Sequence, residues 1–172
     1  MIVTAIHRAL GIPTDYGRNP FLPQFREADL LVDVGVDTLG RVQKLAPEAA
    51  RAWTEMVTAA RSDSVQLFLV SGFRSIEYQC ALFEKKLAAG HSIDSILAVN
   101  AAPGFSQHHT GSAVDIGTPG IELLTEEFEH TEAFRWLLAH ADTFAFSMPY
   151  PRNNRYGFIY EPWHWAHTAI SI

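Results

Sequence analysis

Apolar residues spaced by three and four mark the clearest element of the chain, a helix from Pro47 to about Arg61. Ala49, Trp53, Met56, Val57 and Ala60 share one face there, and Pro47 suits the first turn. Residues 65–70 are almost wholly apolar over a short span, the pattern of a buried strand. A second helix is predicted after Ser75, a good N-cap, burying Ile76, Cys80, Phe83 and Leu87 before stopping at Gly90. Residues 92–99 read as a third, short helix and residues 113–116 as a strand. A further helix over 131–140 is expected to bury Phe134, Leu137 and Leu138. The aromatic segments 144–146, 157–160 and 163–168 read as extended. Residues 11–23 hold Pro13, Gly17, Pro20 and Pro23, so residues 1–45 are expected to be an arm wrapped on the body. Helices come mainly first and strands mainly late, without alternation. That order predicts an α+β domain with a small, mostly antiparallel sheet flanked by helices.

The 172 residues fit one domain, and a content of 48% apolar and 19% charged residues is that of a folded chain. Acidic residues outnumber basic ones by 19 to 13, and the cations are scattered, which argues against a nucleic-acid partner. Cys80 is the single cysteine, so no internal disulfide forms, and it is read as a buried, inert thiol. No window approaches the ~20 apolar residues that span a bilayer, so no membrane partner is expected. The first eight residues lack a basic start followed by an apolar stretch, and the expected location is the cytoplasm.

Two clusters can carry chemistry: Ser106-Gln107-His108-His109-Thr110-Gly111-Ser112-Ala113-Val114-Asp115 and Glu161-Pro162-Trp163-His164-Trp165. On a straight helix His108 and Asp115 would lie ~10 Å apart along the axis, too far to share one ion at ~2 Å. On a straight strand their odd separation puts them on opposite faces. A shared metal therefore requires a bend, which Thr110-Gly111 can supply. Pro162 pushes Glu161 toward an extended conformation, so the second cluster is not the helical His-Glu-x-x-His arrangement. A bent approach to a strand would let His164 point at the metal, with Glu161 beside the water. Two His and one Asp leave a fourth position open, as a catalytic zinc site requires. A neighbouring carboxylate can take a proton from the water and pass it to a leaving amine. His109 would point away if extended and is left outside the ligand set. His7, His91, His130, His140 and His167 read as surface or hydrogen-bonded residues. Trp163 and Trp165 read as packing.

Ser71-Gly72-Phe73-Arg74-Ser75 with Tyr78-Gln79, then Ser-x-His-x-x-Gly-x-Ala-x-Asp at 106–115, then Glu-Pro-Trp-His-Trp at 161–165, resemble the VanY-type D-alanyl-D-alanine carboxypeptidases. These belong to the wider LAS group of zinc metallopeptidases, which includes LD-carboxypeptidases. The resemblance implies the LAS (Hedgehog/DD-peptidase-like) fold for a single domain, 1–172, whose motif-bearing core is about 65–170. It implies Zn2+ held by His108, Asp115 and His164, with Glu161 as general base. It places Arg74 at the scissile carbonyl and its developing oxyanion, and Gln79 and Ser106 near the substrate's terminal residue. Ser71 is expected to shape the turn. The first 60 residues align with no motif.

The activity implied is removal of a C-terminal D-alanine from peptidoglycan-derived peptides. Cleavage of the L-to-D bond of tetrapeptides is favoured over D-Ala-D-Ala ends, since a cytoplasmic enzyme meets recycled muropeptides. The alternatives are an endopeptidase of the phage-lysin type and a zinc-binding domain without turnover. The presence of both Glu161 and Arg74 weighs against the second of these.

Overall fold

The computed structural model describes residues 2–168. Its N-terminal third is more regular than an arm. It contains α1 (Ile2–Ala9) and an antiparallel hairpin of β1 (Val32–Val36) and β2 (Val42–Leu45). The stretch between them is irregular, as its prolines dictate, apart from one turn of 3-10 helix at Tyr16–Arg18. Leu10 and Ile12 anchor this segment in a small apolar cluster with Phe83, Ile96 and Phe105. Main-chain bonds tie the segment down further on, from Phe25 N to Gly104 O and from Ala28 N to His109 O, both 2.8 Å.

α2 (Pro47–Ser62) lays Ala49, Trp53, Met56 and Ala60 into the larger core, as the spacing predicts. β3 (Phe68–Ser71) follows, three residues later than the start of its apolar run. α3 (Ile76–Ala88) begins at Ser75, whose Oγ accepts from Tyr78 N at 2.9 Å. Its buried residues are Gln79 and Phe83, whereas Ile76, Cys80 and Leu87 stay half-exposed. The inward stripe is thus rotated from the one expected, because α3 turns a polar residue toward a cavity. The Cys80 thiol is pushed up by burial and by Glu84, which disfavours its thiolate.

α4 (Ile93–Val99) is the short third helix. β4 (Ala113–Gly117) is followed by α5 (Glu132–His140), which buries Phe134 and Leu137. Leu138, expected inside, is 60% exposed. It lies one residue past the stripe formed by Ala133, Phe134 and Leu137, and the helical twist of ~100° per residue carries it to the outer edge. β5 (Phe146–Ser147) and β6 (His164–His167) complete the sheet. Residues 157–160, expected to be extended, form no strand and run past the cavity, whereas Phe144, also expected to be extended, ends a 3-10 helix (Ala141–Phe144).

The main sheet runs β3-β4-β6-β5, every pair antiparallel. On the central strand Val114 and Ile116 enter the large core, so Asp115 between them faces the opposite side. The register sets Ser71 on one side of Asp115 and His164 on the other. Directly paired residues point to the same face, so these three form a row across the sheet.

Gly111 makes the turn into β4. Its φ is +66°, and a Cβ there would meet the Ala46 nitrogen at 2.7 Å. Gly40, at φ +76°, has open space around it. Gly40→Ala should therefore cost only the left-handed strain, about 1–2 kcal/mol. Gly111→Ala adds a steric clash and should cost about 2–4 kcal/mol in all. Denaturant unfolding of the two variants measures the difference.

Candidate metal centre and active site

The bend between the two halves of the first cluster is a short 3-10 helix, Gln107–Thr110, closed by Gly111. Ser106 caps it, its Oγ accepting from His108 N at 3.3 Å. This helix swings His108 back over the sheet to face Asp115 on β4. A turn at Pro162 does the same for β6, with His164 N donating to Glu161 O at 3.1 Å. Nitrogen or oxygen atoms of His108, Asp115 and His164 thereby lie within 4.8 Å of one another, and all three residues are buried.

The donor atoms can be named from what holds the rest of each ring. His108 Nδ1 donates to Gly72 O at 2.7 Å, leaving Nε2 3.3 Å from Asp115 Oδ2. His164 Nε2 donates to Gln107 Oε1 at 2.9 Å, leaving Nδ1 3.0 Å from Asp115 Oδ1. Each ring is thus oriented by an oxygen behind it, the outer-shell pattern of metal-ligating histidines. One ligand atom from each residue lies within 4.8 Å of the other two, a spread that bonds of ~2.1 Å to a single zinc ion can draw together. Two imidazole nitrogens turned toward a carboxylate also make a place that favours a cation.

Arg74 supplies positive charge beside this group. Its Nη2 lies 2.5 Å from Asp115 Oδ2 and 2.9 Å from His108 Nε2, and its Nε donates to Ser71 Oγ at 3.0 Å. Ser71, expected only to shape a turn, therefore also orients the guanidinium. His109 holds the same arginine from behind, its Nδ1 donating to Arg74 O at 2.7 Å while its Nε2 accepts from Gly104 N at 3.0 Å. Both its nitrogens are committed, so His109 lies outside the donor group.

Burial and the Arg74 charge push His108 down to about 4, so its ring is neutral at ordinary pH and its Nε2 lone pair accepts from Arg74. Burial opposes ionisation of Asp115, but its contacts with His108, Arg74 and His164 outweigh it and hold the carboxyl well below its usual range. Glu161 moves the other way. Burial first and the Asp115 charge second raise it to about 8, against the pull of Arg74 and Lys86.

These residues line one cavity of about 510 Å³ together with Gln79, Ser106 and Tyr150. Gln79 donates from Nε2 to Ala101 O at 2.8 Å, while its buried Oε1 has no hydrogen-bond partner among the described residues. A buried acceptor left open in a cavity wall is a place for a ligand N–H. Three contributors escape a reading of the sequence. Tyr150 stacks on His164 with ring centres 4.7 Å apart, and nothing near it in sequence signals that role. Gly72 acts through its main-chain carbonyl. Gln107 lies inside the first cluster, next to His108, and was open to discovery there. Trp163 and Trp165 belong to the large core, as expected.

Comparison with known proteins gives a consistent picture. The family model for VanY, D-alanyl-D-alanine carboxypeptidase, matches residues 42–170. YodJ of Bacillus subtilis strain 168, named provisionally as a carboxypeptidase, is 31% identical over 170 residues. That alignment covers 95% of this chain but 58% of YodJ, so the chain spans less than two thirds of that relative. Among solved structures, the LdcB LD-carboxypeptidase matches with a TM-score of 0.73 and 32% identity, covering 84% of this chain and 71% of LdcB. A mutant of the vancomycin-resistance D,D-pentapeptidase VanY, solved with Zn(II), matches with a TM-score of 0.63 and 26% identity, covering 82% and 79%. The α+β fold with small antiparallel sheets is shared with these carboxypeptidases, and the chain belongs to the VanY family of D-alanyl-D-alanine carboxypeptidases.

Proposed function

We propose that this protein is a zinc-dependent carboxypeptidase that removes a C-terminal D-alanine from peptidoglycan-derived peptides, preferring the L-to-D bond of tetrapeptides. The observation that carries the reading is the buried His108–Asp115–His164 group opening on a cavity that also holds Glu161 and Arg74. His108 Nε2, His164 Nδ1 and an Asp115 oxygen would hold the ion. Bound there, zinc would supply Lewis-acid polarisation of the scissile carbonyl and acidify water.

Glu161 takes the proton of the attacking water and delivers it to the leaving amine. It lines the same cavity as the three would-be ligands and is buried beside them, which places it to exchange that proton. Arg74, fixed through Nε by Ser71, offers a planar, permanently charged donor to the oxygen on which negative charge develops. Gln79 Oε1 accepts an N–H of the bound peptide, and the Ser106 hydroxyl keeps its own proton free to donate. The preference for the L-to-D bond is supported by the higher TM-score and identity to LdcB than to the D,D-pentapeptidase. Among the described residues no helix is long and apolar enough to cross a membrane.

Tripeptide-, tetrapeptide- and pentapeptide-ended muropeptides, incubated with and without chelator and read by mass, test the reaction. The expected result is chelator-sensitive loss of one alanine, fastest from the tetrapeptide. Split cross-links without free alanine would instead identify an endopeptidase. Glu161→Ala should retain zinc by metal analysis and lose at least about 10²-fold in kcat. Arg74→Lys keeps the charge but not the fork, and its kcat should fall by about 10²–10³ with little change in KM.

The raised Glu161 also predicts a pH dependence of stability in chelator-treated protein. Between its ordinary value of 4.5 and about 8, the folded chain keeps the proton that the unfolded chain has released. Its contribution is complete at pH below 4.5 and is lost as the pH rises through 8. Glu161→Gln should flatten this fall, and melting temperatures across pH 4–9, on the order of that window, check it.

A further inference from the structure

Asp37 and Gln43 have no place in the chemistry above, yet their hydrogen bonds lead to Gly72, whose carbonyl meets His108. Asp37 is buried at the β1–β2 turn. Its Oδ1 accepts from Leu39 N at 2.8 Å and Arg41 N at 2.9 Å. Its Oδ2 accepts from Arg41 Nε at 2.7 Å and from Gln43 Nε2 at 3.1 Å. A carboxylate paired with a guanidinium is ionised and can only accept. The Gln43 amide must therefore turn its NH2 to Asp37 and its Oε1 the other way.

That oxygen accepts from Gly72 N at 2.9 Å. The following peptide unit is held as well, since Phe73 N donates to Lys44 O at 2.8 Å. Strand β2 thus grips the peptides on both sides of Gly72. The approach is so close that a Cβ at residue 72 would meet Lys44 O at 2.6 Å. The carbonyl of the gripped unit, Gly72 O, is the acceptor of His108 Nδ1.

We propose that Gln43 is a positioning residue for the metal centre. By pinning Gly72 it keeps the proton of His108 on Nδ1 and the Nε2 lone pair directed at Asp115 and His164. Asp37 sets the sense of the Gln43 amide and so the direction of the whole relay. The proposal rests on His108 being a zinc ligand. It gives the hairpin, which carries no motif, a task at the site.

The test is zinc affinity of the full chain, stripped of metal and titrated in competition with a chromophoric chelator. Gln43→Met keeps the side-chain volume and removes the acceptor, and its affinity should fall about tenfold or more. Asp37→Asn lets the amide turn over and should weaken zinc binding in the same direction by a smaller factor. It decides the matter if Gln43→Met does not fold. Val42→Ala, on the same strand but outside the relay, should bind as wild type. Imidazole nitrogen NMR of the metal-free protein should show the single His108 tautomer of the wild type replaced by a mixture in Gln43→Met. Wild-type zinc affinity together with an unchanged tautomer in Gln43→Met would overturn the relay. A folded wild type that takes up no zinc, or a His108→Ala variant that binds it undiminished, would overturn the metal reading beneath it.

Discussion

The carboxylate of Asp115 is the interaction around which the site is organised. It is buried on the central strand, where an ion is tolerated only if its lone pairs are taken up. Arg74 donates to one oxygen, and His164 Nδ1 and His108 Nε2 lie 3.0 and 3.3 Å from the pair. The sheet register makes this possible at little conformational cost, because Ser71 and His164 are already its cross-strand neighbours. Only His108 must be brought from outside the sheet. The turn of 3-10 helix and Gly111 do that.

The N-terminal third holds these loops rigid. Bonds from Phe25 and Ala28 fix the segment 104–109, Ala46 N donates to Gly111 O at 2.9 Å, and β2 grips Gly72 and Phe73. A metal site needs its donors fixed to within about 0.5 Å. Loops alone do not provide that, and here the loops that carry Arg74 and His108 are tied by main-chain bonds to the hairpin and the arm. Glu27 of the arm also accepts from Ile76 N at the start of α3, adding a second cap beside Ser75.

What could be read from the sequence divides along the same line. The bend at Thr110-Gly111, the turn at Pro162 and the convergence of His108, Asp115, His164 and Glu161 on one cavity were legible. Metal chemistry demands particular residue types, and the chain needs Gly or Pro to bring them round. The helix of residues 47–62 was legible because its burial is one-sided. The hairpin, the helix α1 and the ties from residues 25–28 were not. Main-chain hydrogen bonds can be made by any residue except proline as donor, so they leave no mark in residue type. α3 misled for another reason. Its inward face carries Gln79, placed there for the cavity, and an apolar stripe predicts the wrong rotation when a functional polar residue is buried.

The same cavity contains two carboxylates, and their division of labour follows from position alone. Asp115 lies in the sheet row, where the Arg74 guanidinium donates to it, and it is held ionised. Glu161 precedes the turn into β6, is nearly as buried, and meets Arg74 and Lys86 only at longer range, with no ion pair formed among the described residues. The charge of Asp115 then adds to the cost of ionising Glu161, so one carboxylate helps to hold the proton on the other. A second carboxylate placed in the row would lose that property. One placed outside the cavity would return toward 4.5 and hold no proton near neutrality. The turn at Pro162, which separates Glu161 from the strand while keeping it in the same cavity, is what lets two like residues hold opposite charge states.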